Sequence, residues 1–482
     1  MLGKKITTNF AFNILSMALS FISSIFIARI GGAAIFGNIS LATSFQALIK
    51  SIFSHSVNNA HLKVYNDDTS VGVKNYLLLN LFFNLLTSLL IVVFVLWNSR
   101  SSNNTFSQVQ LHLIIIFIIQ DYLLTPLTIY TTDQYAKLNV KRGNFLDFSS
   151  QVLTNLAKIA AVLLGQTEIG IAWAIIIACC ISSVFPIISL SKGNIGKYSF
   201  QVIKKYIRLC LYISTSALAY GLLLSFDKIL LGFFAVSPEK IGYYNAGNRL
   251  GILLMSLGVS VGGIFLSVFS KNIAEKNQEK TLEQLKQYER YISIFFIPVI
   301  LVPIFFGEEL LMFIYGKEFT TGYIVLVFAL IVAYLKTTTI PYQNYLFANN
   351  SFKVFNRLSI VFAVVIVAST FLFAFFDLFP DKTTSVAFGL LFSCIVDRIL
   401  FGIACSRIDK EIKMYFYPQI LLFFVLIAVG WFSVRGLVSG NILISYIIRV
   451  FVLLLIIPVG YLLKIYKQED YRLITQLAGA KK

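Results

Sequence analysis

The chain is poor in charge. Only 13% of its 482 residues are Asp, Glu, Lys or Arg, about half the usual share in a soluble protein, while 57% are hydrophobic and the mean hydropathy is +0.80. That shortage excludes a water-soluble globular protein and leaves a polytopic membrane protein. Acid is scarcer than base: 22 Asp and Glu stand against 40 Lys and Arg, a formal net charge of +18. The excess implies no nucleic-acid partner, because membrane proteins collect Lys and Arg in their cytoplasmic loops. The five cysteines, Cys179, Cys180, Cys210, Cys394 and Cys405, lie in apolar segments and form no CxxC pair, which argues against a disulfide framework or a zinc site. Three histidines, His55, His61 and His112, occur without HExxH, and neither a GxxxxGK[ST] phosphate loop nor a GxSxG elbow is present. No cofactor is expected, and no ATP hydrolysis by that route. Long outer loops are also lacking. The loop at 100–108 is among the longest, and Asp377, Asp381, Glu308 and Glu309 are the only acidic candidates for an outer catalytic site. An enzyme is therefore not expected.

Apolar length is what the chain has. A spanning helix needs about 20 mostly apolar residues, and fourteen segments meet that length: 9–30, 34–54, 76–97, 110–131, 144–165, 170–190, 208–234, 240–270, 291–315, 323–347, 354–376, 385–407, 415–432 and 443–464. The first is too long for a signal peptide and is followed at once by another span, so it is expected to be retained. With the N-terminus placed inside, 28 of the 40 Lys and Arg fall on the inner side, seven outside and five within spans. This fourfold excess supports both termini in the cytoplasm of a multi-pass protein. The segment 271–290 repeats Leu282, Leu285, Tyr288 and Ile292 at helical spacing, so it is expected to form an amphipathic helix on the inner membrane surface.

The segment 204–270 organises the rest. It carries Leu231-Gly232 and Ile241-Gly242-Tyr243-Tyr244-Asn245-Ala246, and a fainter copy lies at Ile30-Gly31-Gly32 and Phe36-Gly37-Asn38-Ile39-Ser40. Each copy links two apolar segments, which reads as two related halves with the second starting near Lys204. Repeats of this kind are common in transporters, where the substrate site lies between them. Gly258 and Gly262 form a small-xxx-small pattern suited to helix packing.

Charges inside the spans carry the functional information, since each costs about 2.5–3.5 kcal/mol to insert. At about 1.5 Å rise per residue, Lys158, Arg249, Lys336 and the pair Asp397-Arg398 fall near mid-membrane. Lys50 lies in the inner third of the second span, Arg29 at the outer end of the first, and Arg449 in the outer third of the last. The acidic set is smaller: Asp121, Asp147, Asp227 and Asp397. A net cationic interior calls for a water-filled cavity and an anionic substrate such as a diphosphate, which Lys and Arg neutralise through charge-assisted hydrogen bonds. The candidate substrate contacts are Arg249, Lys158, Lys336, Lys50, Arg29 and Arg398. Asp227, Asp121 and Asp397 are candidates for charge partners or for coupling a cation. Local pairing, or snorkelling by Lys50 and Arg29, is the alternative for each.

Three motifs carry a family resemblance. Arg29-Ile-Gly-Gly-Ala-Ala-Ile-Phe-Gly37-Asn38-Ile-Ser-Leu-Ala42 is one, with Gly31-Gly32 in place of a more usual Leu-Gly-Pro turn. Asp227-Lys-Ile-Leu-Leu-Gly232, continued by Gly242-Tyr-Tyr-Asn-Ala246 and Arg249, is the second, and Tyr315-Gly-Lys-Glu-Phe319 the third. Together they resemble Wzx-type O-antigen and capsule flippases of the multidrug/oligosaccharidyl-lipid/polysaccharide exporter superfamily. The resemblance implies an all-α, MATE-like fold: an N-terminal lobe at 1–190, a cytoplasmic linker at 191–204, a C-terminal lobe at 205–407 that includes 271–290, and two further helices with a tail at 408–482. It also implies a flippase for an undecaprenyl diphosphate-linked oligosaccharide in the bacterial cytoplasmic membrane, working among membrane lipids with a polysaccharide polymerase and a chain-length regulator as partners. The other reading is a cation-coupled multidrug exporter of the same superfamily, in which acidic groups should dominate the cavity.

Overall fold

The computed structural model describes residues 2–67, 73–100, 105–192, 196–275, 277–412, 449, 450 and 454. Among these it is all helix: α1 (Leu2–Ile52), α2 (Ser54–Asp67), α3 (Val73–Arg100), α4 (Gln108–Ala136), α5 (Val140–Leu163), α6 (Glu168–Lys192), α7 (Phe200–Phe233), α8 (Pro238–Ala274), α9 (Gln278–Ile314), a 3-10 turn (Lys317–Gly322), α10 (Tyr323–Ala348), α11 (Phe352–Phe375) and α12 (Lys382–Ile408). The expected spans at 415–432 and 443–464 lie outside the described residues apart from Arg449, Val450 and Leu454.

Three details differ from the sequence reading. The first two expected spans are one helix, α1, broken at Gly32, whose φ of 82° and ψ of 173° suit a residue without a Cβ. An extra helix, α2, follows it. This helix is short and on average polar, so a search for apolar length passes over it. Its stripe Val57, Ala60, His61 and Val64 nevertheless repeats at i, i+3, i+4 and i+7, and all four side chains are buried. The segment 271–290 is helical over most of its length but does not form a separate surface helix. From Gln278 it runs unbroken into the apolar part of α9, and Leu285 and Tyr288 are buried against protein. The apolar stripe recognised at that spacing thus faces α8, α10 and α12 (Leu285 clusters with Phe269, Tyr342, Tyr345 and Phe401) rather than lipid.

Helix ends follow local chemistry. Ser107 and Gln110 form a reciprocal capping box at the start of α4. Ser237 caps α8, where Pro238 takes the first position and loses no hydrogen bond. In α9 a non-helical residue, Phe306, follows Pro298 and Pro303, each of which removes a backbone donor.

Helices α4–α6 pack on one another and on α1, α8–α12 form a second group, α1 also runs along α8 and α7, and α7 touches α2 and α11 as well. In lipid the hydrophobic effect does not draw helices together, so close approach at small residues must do so. The longest such seam joins α8 to α10. A Cβ would lie 2.6 Å from the Gly322 carbonyl oxygen and 2.8 Å from the Leu326 nitrogen at Gly247, 2.6 Å from the Ala329 carbonyl oxygen at Gly251, 2.1 Å from the Thr337 hydroxyl at Gly258 and 2.4 Å from the Ile340 side chain at Gly262. Gly258 and Gly262, recognised in the sequence as a packing pattern, therefore belong to a longer stripe.

The two copies of the sequence repeat meet. A Cβ on Gly37 would lie 1.9 Å from the Pro238 carbonyl oxygen, and one on Gly242 would lie 2.2 Å from the Ala33 carbonyl oxygen. At this end of the molecule, called here the Gly32 face, the break in α1 is thus held against the start of α8 with almost no space between backbones. The opposite end, where α7 begins, is the linker face. There α2 meets α7 through a buried pair, His61 Nδ1 and the Tyr206 hydroxyl at 2.6 Å.

Candidate functional site

The charges within the helices fall into two groups. In the group on α9, α10 and α12, every cation is neutralised. Lys336 Nζ donates to Asp397 Oδ2 at 2.7 Å and lies 4.2 Å from the Phe362 ring centroid. Arg398, on the neighbouring position of α12, pairs with Glu289 of α9, donates to the Thr338 carbonyl at 2.9 Å and stacks on Tyr342 at 4.2 Å. All four charged groups are almost inaccessible, Asp397 at 1% and Lys336 at 6%. Both cations thus have a carboxylate and an aromatic ring beside them, and Arg398 has a backbone carbonyl as well. Arg449 likewise pairs with Glu309 at 2.5 Å and donates to the Phe305 carbonyl near the break in α9.

The acidic candidate Asp227 is also occupied. Its carboxylate accepts from Lys228 Nζ at 3.1 Å, from the Tyr244 hydroxyl at 2.7 Å and from Asn248 Nδ2 at 2.8 Å, and its side chain is wholly buried. Lys228 also reaches back to the Leu224 carbonyl at 2.9 Å. This cluster ties α7 to α8. Asp121 on α4 accepts from Lys50 at 3.1 Å and from Gln46 at 2.9 Å. All three acidic candidates thus hold a lysine. Asp147 instead accepts from the Tyr135 hydroxyl at 2.6 Å near the linker face. Arg29 does not reach the other candidates. It is exposed at the Gly32 face, where Nε donates to the Ile314 carbonyl at 2.7 Å and a second nitrogen to the Phe313 carbonyl, tying α1 to the end of α9. Helix C-termini carry partial negative charge, so a guanidinium there is favourable.

Arg249 and Lys158 behave differently. Arg249, on α8, donates from one terminal nitrogen to Ser20 of α1, at 2.7 Å to the hydroxyl and 3.4 Å to the carbonyl, and meets no carboxylate among the described residues. Lys158, on α5, makes no hydrogen bond or ion pair among the described residues, and it is close enough to Arg249 for the two charges to repel. Two cations that share an interior space with no counter-ion from the described residues cost far more than a paired set, unless an anion or water neutralises them. This three-helix meeting of α1, α5 and α8 is the point where an anion would be stabilised most.

Sequence reasoning found the intramembrane cations other than Lys228, which it counted on the outer side, and could not sort them. It missed Glu289, which sat in a segment assigned to the membrane surface, and Ser20, which carries no charge signal. Lys228 beside Asp227 was visible, but adjacency on a helix ordinarily points two side chains apart. Of the four acidic residues considered for an outer catalytic site, Glu309 pairs with Arg449, Asp381 with Lys240 at 3.2 Å and Asp377 with Lys382 at 2.8 Å.

Among the described residues, the helices that are long and apolar enough to cross a bilayer define an all-helical membrane protein. The chain belongs to the polysaccharide biosynthesis protein family, whose model matches residues 26–324. Its fold is similar to that of the lipid II flippase MurJ in an inward closed conformation, at 14% identity and a TM-score of 0.72, over 94% of this chain and 98% of that one. It is similar also to an inward-facing MATE family multidrug resistance transporter, at 13% identity and a TM-score of 0.64, over 84% and 99% of the two chains. A MOP superfamily transporter from Pyrococcus furiosus, described as having a binding pocket of reverse polarity, aligns at 14% identity and a TM-score of 0.54, over 85% and 95%. No curated protein matches the sequence significantly.

Proposed function

We propose that this protein is a flippase that carries an undecaprenyl diphosphate-linked oligosaccharide repeat unit across the bacterial cytoplasmic membrane, for assembly of O-antigen or capsule polysaccharide. The observation that carries the reading is the pair Lys158 and Arg249, two intramembrane cations without a carboxylate among the described residues, in a chain of the polysaccharide biosynthesis family. A diphosphate is the complement of such a pair. Its charge spreads over several oxygens, which a guanidinium fork and an ammonium can meet together.

In this reading the two lobes are 1–190 and 205–407, joined by the linker at 191–204, with 408–482 adding two helices and a cytoplasmic tail. Both termini and the linker face are cytoplasmic, and the Gly32 face is external. The head group enters from the linker face and its diphosphate settles at Lys158 and Arg249, while the polyprenyl chain stays in lipid. The seal of Gly37 on Pro238 and of Gly242 on Ala33, with Arg29 fastened to the end of α9, keeps the external side shut. Neutralising the two cations removes a repulsion that otherwise acts between α5 and α8, which links occupancy to a change in the relative position of the helices. The seal must then part to release the head group outside. A polysaccharide polymerase and a chain-length regulator would act on the released unit. The occupied carboxylates at Asp121, Asp227 and Asp397 count against the cation-coupled drug exporter, which needs a free acidic group.

The test is a lipid extraction from cells that lack the protein and carry a plasmid copy. Wild type should clear complete lipid-linked oligosaccharide from the cytoplasmic side, judged by protection from an added glycosidase, whereas Arg249→Ala should leave it trapped at normal protein abundance. A normal lipid pool in the deleted strain, with heightened sensitivity to cationic drugs, would overturn the flippase in favour of the exporter.

A further inference from the structure

A cavity of about 340 Å3 lies among α7, α8, α10, α11 and α12, apart from the residues that hold Arg249 and Lys158. Its wall combines aromatic rings, Tyr220, Phe355 and Phe362, with two amides, Gln343 and Asn344, and the ammonium of Lys336. The amides stand within eight residues of the end of α10, and Phe355 and Phe362 within the first eleven residues of α11, so this part of the wall occupies the linker-face half of the bundle. Its size is within the range of about 300–1,000 Å3 usual for small-ligand pockets.

The polar groups on this wall are not accounted for by the fold. Among the described residues, neither Gln343 nor the Tyr220 hydroxyl has a hydrogen-bond partner. Asn344 uses only its amide nitrogen, donated to the Gly262 carbonyl at 2.8 Å, which leaves its carbonyl oxygen available. Amide groups in a membrane interior are costly unless satisfied. Lys336 is neutralised by Asp397, so the cavity carries no net charge and does not suit the diphosphate. Faces of aromatic rings beside uncommitted amides and a phenol suit a ligand with apolar ring faces and many hydroxyls or amides on its edge.

We propose that this cavity is a subsite for one or two uncharged sugar rings of the transported head group. The inference rests on the flippase reading above and deepens it: the anion is held at Lys158 and Arg249, and the glycan is selected separately, by Gln343, Asn344 and Tyr220. Lys336 then serves as a wall, its charge already spent on Asp397.

Two lipids separate these parts. One is the native lipid-linked oligosaccharide extracted from the deleted strain, and the other is undecaprenyl diphosphate alone. Binding of each to the full-length protein in nanodiscs is measured for wild type, Gln343→Leu, Tyr220→Phe and Arg249→Gln, with melting temperature as the control for folding. Wild type should prefer the glycosylated lipid. Gln343→Leu and Tyr220→Phe should each weaken the glycosylated lipid by about two- to tenfold, the range for one neutral hydrogen bond, and leave undecaprenyl diphosphate unchanged. Arg249→Gln should weaken both lipids alike. If the preference survives both Gln343→Leu and Tyr220→Phe at wild-type melting temperature, the subsite is wrong while the anion site stands. Equal weakening of both lipids by Gln343→Leu would place the polyprenyl chain there and also overturn it. Should neither lipid bind wild type, the flippase reading fails and the subsite with it.

Discussion

Lys336 and Lys158 are both lysines in the interior of a helical membrane protein, and their surroundings could hardly differ more. Lys336 has a carboxylate at 2.7 Å and an aromatic face, with almost no exposure. Lys158 has neither among the described residues, and its notable electrostatic neighbour is another cation. The α9, α10 and α12 charges behave as a staple that joins three helices, whereas the α1, α5 and α8 charges are the anion site of the function proposed above. On the proposed reading, the same residue type at similar depth serves stability in one place and recognition in another. What separates them is the presence of acid on a neighbouring helix.

The comparison is broken most forcefully at the staple. Lys336→Ala leaves the Asp397 carboxylate buried without its partner, which should destabilise the protein by about 3–5 kcal/mol. Loss of abundance and a lowered melting temperature in detergent are the readouts. Replacing both partners, Lys336→Met with Asp397→Leu, removes the desolvated charges together and should restore most of the stability, because a well-packed apolar pair is often neutral relative to a buried ion pair. A melting temperature that falls as far in the double variant as in the single one would mean that Lys336 matters for something other than Asp397.

At the other cluster the expected signs reverse. Lys158→Met and Arg249→Ala each remove an uncompensated charge, so the fold should hold or gain slightly. Transport, or diphosphate binding, should fall by about ten- to a hundredfold, the equivalent of one charged hydrogen bond worth about 1.5–3 kcal/mol. A pronounced loss of melting temperature in either variant would show that the two clusters do not differ in the way described. The seal at the Gly32 face gives a third break. Gly37→Ala sets a methyl against the Pro238 carbonyl and should cost about 1–3 kcal/mol in the closed arrangement alone, which would shift the resting population toward an open Gly32 face. Labelling by a membrane-impermeant thiol reagent of a cysteine placed at Phe36 should rise accordingly. Gly165→Ala, in a loop position with no atom near its Cβ but a φ of +68°, serves as a control for backbone strain without a clash.

Much of this was legible beforehand, for a physical reason. Bilayer thickness demands long apolar runs, so ten of the twelve spans expected before residue 408 recur as single helices, and even the pair merged in α1 differs only by the Gly32 break. Helix α2 escaped because it lies where no such demand acts, and its four-residue stripe is a weaker signal than twenty apolar residues. The charges were legible as a set because lipid makes any intramembrane ion conspicuous. Their pairing was not, since Glu289 and Arg398 are 109 positions apart and Lys336 and Asp397 are 61 apart. Nothing in one sequence reports which helix faces which. The α8 stripe shows the intermediate case. Gly258 and Gly262 announced a packing face, but only the structure extends it to Gly247 and Gly251 and supplies α10 as the partner.

The finest test of the comparison is Ser20. Of the five N–H donors on a guanidinium, Arg249 commits only those of one terminal nitrogen, both to Ser20. Its Nε and its other terminal nitrogen have no partner among the described residues, and these are the donors an anion can take without displacing anything. Ser20 therefore orients the fork rather than occupying it, in contrast to Arg398, which Glu289, Thr338 and Tyr342 surround. Ser20→Ala removes one neutral acceptor and should weaken undecaprenyl diphosphate binding by about 0.5–1.5 kcal/mol, with Ser20→Thr retaining wild-type affinity because the hydroxyl is kept. The melting temperature should hardly move in either. Tighter binding in Ser20→Ala would mean the opposite arrangement, in which Ser20 competes with the ligand for Arg249 and the contact between α1 and α8 is a latch that the substrate must open.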